Sequence, residues 1–104
     1  MNFEFDRSIE LTGKEDDGPS EAFLKDTNHK LCVEINETNK YANLSFSSRL
    51  AMYEFARSIM YEAIYGEGGF MEFYPMAIED SQLEIINGAR MTLESARIFI
   101  NYPD

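Results

Sequence analysis

Few residues in this chain are of types that do chemistry. Among its 104 residues there is one histidine, His29, one cysteine, Cys32, and no tryptophan. A histidine serves as a general base when it stands beside a nucleophile and a third group orients it. His29 lies in a turn-forming stretch, Lys25 to Lys30, and reads as a surface residue. A reactive thiolate needs a helix N-terminus or a histidine beside it. Cys32 has neither next to it in sequence and falls on the strand face opposite Leu31 and Val33, so it reads as structural. Carboxylate pairs for hydrolysis are available everywhere, and a pattern that any two of 19 acids satisfy identifies none. No zinc-type Cys/His cluster, nucleophile elbow or dinucleotide fingerprint occurs. Glu15-Asp16-Asp17 lacks the regular oxygen-ligand spacing and closing glutamate of a calcium loop. Gly66-Glu67-Gly68-Gly69 follows a helix and has no lysine, whereas phosphate-binding loops precede a helix and need a Lys-Ser/Thr pair. The expectation is a protein that is not an enzyme and uses no cofactor and no metal.

Charge says more. The formal net charge is −10, from 19 acidic and nine basic side chains. Phosphate contacts need clustered Lys and Arg, so nucleic acid is not expected as a direct ligand. An acidic surface accelerates the approach of a basic protein partner, although acidity also simply keeps a small protein soluble. The candidate contacts are Asp16, Asp17, Glu67, Glu79 and Asp80. The loop from Thr12 to Glu21, which holds Asp16 and Asp17, reads either as a solvated segment or as a partner-facing one. Tyr53, Arg57, Tyr61 and Tyr65 recur every fourth residue, and Tyr and Arg are enriched at binding hot spots. Tyr61 and Tyr65 are therefore candidate anchors on the outer side of a helix. The alternative is that a second layer covers this face and the tyrosines pack beneath it.

The elements that must position these residues centre on one helix. Met52, Phe55, Ala56, Ile59, Met60 and Ala63 fall at helical spacing, which predicts an amphipathic helix over about residues 48–65 with that stripe buried. Ser47 or Ser48 caps its start, and Gly66 ends it in a left-handed conformation. Residues 3–11 alternate, with Phe3, Phe5, Ile9 and Leu11 on one parity, and predict a strand. Ala22-Phe23-Leu24 predicts a short strand. Leu31 to Ile35 and Ala42 to Phe46 alternate around the turn-forming Asn36 to Lys40 and predict a β-hairpin. Phe70 to Tyr74 reads as a strand, and so does Ser95 to Tyr102, where Ile98, Ile100 and Tyr102 alternate against Phe99 and Asn101. Residues 80–96 read as a hairpin about Asn87-Gly88 or as a second helix with Gly88 in its middle. The fold class expected is α+β: a largely antiparallel sheet with the long helix packed on it, in a single domain. The chain is long enough to bury roughly two-thirds of its unfolded surface. No apolar run reaches membrane-spanning length, and no secretory signal is evident at Met1 to Asp6, so a cytoplasmic protein is expected. A lone cysteine fits a reducing compartment.

Two runs carry a family resemblance. They are Gly88-Ala89-Arg90-Met91-Thr92 followed by Glu94-Ser95-Ala96-Arg97-Ile98-Phe99-Ile100-Asn101-Tyr102-Pro103, and the helix stretch Arg49-Leu50-Ala51-Met52-Tyr53-Glu54-Phe55-Ala56. In length, acidity and the order hairpin, helix, strands, the chain resembles the small acidic immunity proteins of bacterial contact-dependent growth inhibition and polymorphic toxin systems. The resemblance implies a protein that binds a cognate basic toxin domain, an RNase or DNase, and covers its active site. The alternative is an acidic mimic of nucleic acid, or a regulatory protein, that binds a basic DNA- or RNA-binding partner.

Overall fold

A computed structural model describes residues 18–79 and 82–104. The alternating segment 3–11, the acidic run with Asp16 and Asp17, and Asp80 lie outside the described residues. The described elements are α1 (Glu21–Lys25), β1 (Leu31–Asn36), β2 (Tyr41–Phe46), α2 (Arg49–Tyr65), β3 (Phe70–Phe73), β4 (Ile85–Ile86), β5 (Ala89–Arg90) and β6 (Ile98–Asn101). The architecture is α+β, with antiparallel ladders and the long helix packed on a hairpin.

Ala22-Phe23-Leu24, expected as a strand, is the middle of helix α1. Ser20 is extended and its side chain accepts the Phe23 N–H at 3.3 Å, satisfying one of the orphan donors of the first turn. Glu21 and Lys25 pair at i, i+4, and only Phe23 is buried. Three apolar residues are too few to reveal a period, so the cap and the charges decide.

The hairpin forms as expected. β1 and β2 pair antiparallel with Leu31 opposite Phe46, Val33 opposite Leu44 and Ile35 opposite Ala42. Asn36 organises the turn, its side chain accepting the N–H groups of Thr38 and Asn39, and Lys40 takes a left-handed φ of 67°. The far edge of β1 is covered. The Leu31 and Val33 carbonyls accept the N–H groups of Thr92 and Ala96, and the Val33 N–H donates to Ser95 Oγ at 2.8 Å. Because successive residues of a strand direct their backbone groups to opposite edges, β1 meets β2 through Cys32, Glu34 and Asn36. Ala42, Leu44 and Phe46 therefore turn their backbone groups away from β1. Among the described residues no backbone hydrogen bond reaches that outer edge.

Helix α2 keeps its expected bounds and shifts its phase. Ser48 Oγ caps it by accepting the Ala51 N–H at 3.0 Å. Gly66 ends it, but at φ −71°, outside the left-handed region. The glycine is required for space, since a Cβ there would stand 2.4 Å from the Glu62 carbonyl oxygen. The buried residues are Ala51 and Glu54, flanked by half-buried Phe55, Ser58 and Ile59. Met52, Ala56, Met60 and Ala63, expected in the core, are exposed, Met52 by 53% and Met60 by 42%. The rotation has two visible causes. Glu54 turns inward and accepts the Ser20 N–H at 3.0 Å, and the Asn87-Gly88 turn presses on the same side of the helix.

Residues 80–96 contain the hairpin, not the second helix. β4 and β5 pair Ile85 with Arg90 and Ile86 with Ala89 across Asn87-Gly88. β3 and β6 pair antiparallel, with Met71 and Phe73 inward beside Ile98 and Ile100, and Phe70 and Phe99 outward. The core is Leu31, Val33, Met71, Phe73, Ala89 and Met91, closed by Phe46, Phe55, Ile59, Ala96, Ile98 and Ile100. Phe55 bridges helix and sheets, its ring 5.5 Å from Phe46 and 4.7 Å from Phe73.

Candidate functional site

Tyr61 and Tyr65 stand one turn apart near the C-terminal end of α2, their rings tilted at 4.9 Å. Both are half-buried, on the flank next to Glu54 and Ser58 and not on the outer side where the expected helix phase put them. Tyr61 lines a cleft of about 300 Å³ with Gly18, Pro19, Ser58, Glu62 and Met71. Arg49, Tyr53, Arg57, Tyr61, Tyr65 and Glu67 all have interaction partners. One of these contacts is Arg57 Nη1 donating to the Gly18 carbonyl at 3.3 Å.

Glu67 is exposed in the turn after α2, where the Gly68 N–H donates to the Asp104 carboxylate at 3.2 Å. The same end is tied down by Tyr102, whose hydroxyl donates to Glu62. That bond, with some burial, raises the Tyr102 phenol above its ordinary pKa. Tyr61, Tyr65 and Glu67 thus share one end of the helix. Glu79 is exposed on the separate loop between β3 and β4, where its carbonyl accepts the Gln82 N–H. No described contact joins it to the others.

Sequence reading missed a constellation at the start of α2. His29 Nδ1 lies 2.6 Å from Ser48 Oγ, and His29 Nε2 lies 3.4 Å from Asp26 Oδ2. Serine, histidine and aspartate in that order could activate a hydroxyl. Here each member is committed to local structure. Ser48 Oγ is the cap of α2, Asp26 Oδ1 accepts the Asn28 N–H at 3.0 Å, and the imidazole stacks on Phe23 at 6.1 Å. Neither Ser48 nor His29 lines the described cavities. The chain of bonds docks α1 onto the N-terminus of α2. The Asp26/His29 spacing and the Ser47-Ser48 cap were each legible, but their meeting across 19 residues was not.

Arg90 was missed as well. It is 4% exposed and donates to the carbonyls of Phe23, Asp26 and His29 at 2.9 to 3.3 Å. Its guanidinium lies 4.8 Å from the centre of the Phe23 ring. Burial lowers its pKa from the usual arginine value, and Asp26 acts in the opposite direction. It closes the C-terminal end of α1, where carbonyls lack helical partners. With Thr27, Lys30, Gln82 and Leu83 it lines a cavity of about 360 Å³.

Two further surfaces carry the residue types of interfaces. On the outer face of β3 and β6, Phe70 and Phe99 meet at 6.0 Å, and Arg97 lies over Tyr74 and Phe99 while pairing with Glu72. On the hairpin, Ile35 is 55% and Leu44 43% exposed, and on α2 Met52 is 53% and Met60 42% exposed. Cys32 is a free, half-buried thiol. Among the described residues, no group of three or more His, Cys, Asp or Glu is placed to hold a metal ion, and no helix is long and apolar enough to cross a membrane. Compared with known protein families, curated proteins and solved structures, the chain matches none.

Proposed function

We propose that this protein is an immunity protein that binds a basic bacterial toxin domain, a nuclease, and neutralises it in the cytoplasm by covering its active site. It acts by binding, not turnover. The observation that carries the reading is the charge: 19 acidic against nine basic side chains, for a net −10. A nuclease presents a basic cleft to phosphate, and a surface of opposite sign is steered to it at a high rate. The described acids Glu67 and Glu79 stand exposed in loops, as steering charges must, and Asp16, Asp17 and Asp80 belong to the same acidic set by sequence.

The test is co-expression with the toxin domain encoded beside its gene. Growth should be restored by this protein and not by an unrelated protein of equal charge. No rescue from that toxin sinks the proposal. Binding to several unrelated DNA-binding proteins, abolished by moderate salt, would instead favour a mimic of nucleic acid.

A further inference from the structure

One cavity runs against the charge of the rest of the molecule. Thr27, Lys30, Gln82, Leu83 and Arg90 line about 360 Å³, a volume in the range of small-ligand pockets. Two of these residues are cations, in a chain whose net charge is −10.

Backbone bonds explain why they converge. Arg90 ends β5, and its Nη1 donates to the carbonyls of Asp26 and His29 at 3.3 and 2.9 Å. Those carbonyls belong to the residues just before Thr27 and Lys30. The turn after α1 therefore wraps the guanidinium and brings both residues to the same cavity. Lys30 is fixed by Ser47 as well: its N–H donates to Ser47 Oγ at 2.7 Å, and its carbonyl accepts the Ser47 N–H at 2.9 Å. Leu83 is held by a bridge to Ala77, and the Gln82 carbonyl accepts the Ile78 N–H at 2.8 Å. The lining is carried on anchored backbone.

Arg90 is 4% exposed, and an arginine stays protonated in a protein. A buried cation is ordinarily paired with an anion. The contacts of Arg90 are three carbonyls and the Phe23 ring. Among the described residues no carboxylate stands within ion-pair distance of Arg90 or Lys30. The carboxylate of Asp26 is engaged by the Asn28 N–H and by His29. A guanidinium has five N–H donors, and these carbonyls take three of them. The Nε–H and one N–H of Nη2 remain, and those two nitrogens form the edge that takes a carboxylate side-on. That edge is not sealed in protein: among the described residues Thr92 Oγ1 is the one buried side-chain polar atom without a partner, and Arg90 lines the cavity.

We propose that this cavity binds a small monocarboxylate. The carboxylate lies on the Nε/Nη2 edge of Arg90 within reach of Lys30 Nζ, and a short apolar body lies against Leu83. Thr27 and Gln82 offer a hydroxyl and an amide to a polar substituent. The planar edge suits the two oxygens of a carboxylate, and a single negative charge is the one least opposed by the field of a chain at −10. The site goes beyond the immunity reading and does not depend on it.

The test uses the full isotope-labelled chain with three probes: butyrate, its neutral isostere butyramide, and inorganic phosphate. Butyrate should shift the Arg90 Nε–H resonance saturably, with a Kd of about 1 mM, the order expected of so small a ligand, and butyramide should not. Lys30→Gln should weaken butyrate about tenfold. Circular dichroism checks that this variant folds, and the comparison of butyrate with butyramide needs no variant. Asp80, outside the described residues, adjoins the cavity in sequence, so Asp80→Asn is titrated too. Absence of a saturable butyrate shift at Arg90, or an equal response to butyramide, would overturn the proposal. So would butyrate binding unchanged in Lys30→Gln, since the charge pair would then select nothing. Tighter binding of phosphate would overturn the ligand class, and binding gained only in Asp80→Asn would show that the chain's own carboxylate fills the site.

Discussion

Gly88→Ala tests how the fold is assembled. Asn-Gly at a two-residue hairpin turn is ordinarily explained by left-handed φ values. Here only Asn87 has one, at 55°, and Gly88 does not. What Gly88 supplies is closeness: a Cβ on it would stand 2.4 Å from the Glu54 carbonyl oxygen and 2.7 Å from Ser58 Cβ. A carbon and an oxygen need more than 3 Å, so the turn or the helix must move by most of an ångström. The obstacle is helix backbone and cannot rotate aside. Overpacking costs about 1–3 kcal/mol, and a backbone obstacle places Gly88→Ala near the upper end, at about 2–3 kcal/mol. For a domain of this size that lowers the Tm by about 8–24 °C. Gly18→Ala is the control, because a Cβ there meets nothing within 4 Å and the change should stay within about 1 kcal/mol of wild type. Thermal unfolding followed by circular dichroism reads both. If Gly88→Ala melts with wild type, the turn does not press on α2, and the account of the helix's rotated phase fails with it.

Ser48→Ala removes the cap of α2 and the partner of His29, so a loss of about 1–2 kcal/mol is expected in urea unfolding. Its double-mutant cycle with His29→Ala should show positive coupling. Hydrolysis of an activated ester that is lost in Ser48→Ala would refute the structural reading of these groups. Tyr102 has a folded-state pKa raised above 10.0, chiefly by donating to Glu62. The stability from that bond is therefore full below the unfolded pKa and is lost as pH rises through the folded one. Tyr102→Phe should flatten the alkaline arm of the Tm–pH curve, and parallel curves for the two proteins would sink the idea. If the immunity reading holds, Glu67→Gln and Glu79→Gln should slow association with the toxin a few-fold, less so in high salt, and leave dissociation unchanged. Stopped-flow association against salt measures this, and an altered off-rate with an unaltered on-rate would contradict steering.

Local signals carried most of the fold. Alternation about Asn36 to Lys40 placed the hairpin, and an i, i+3, i+4 pattern between serine and glycine placed α2 within a residue of its bounds. The even spacing of Ile98 and Ile100 gave the inward face of β6. α1 was misread because its apolar run is too short to show a period. The local signals for the helix are the cap Ser20 and the ion pair of Glu21 with Lys25.

The site was harder to read, because facing is decided by what the rest of the chain brings. The apolar stripe of α2 is real, yet the helix buries Glu54 and leaves Met52 and Met60 in water. Glu54 turns inward because the Ser20 N–H, 34 residues away, waits there as a donor, and Gly88 can approach that side only because it has no side chain. Neither fact has a local signature. Arg90 holds three carbonyls more than 60 positions away, and nothing in its neighbourhood announces it.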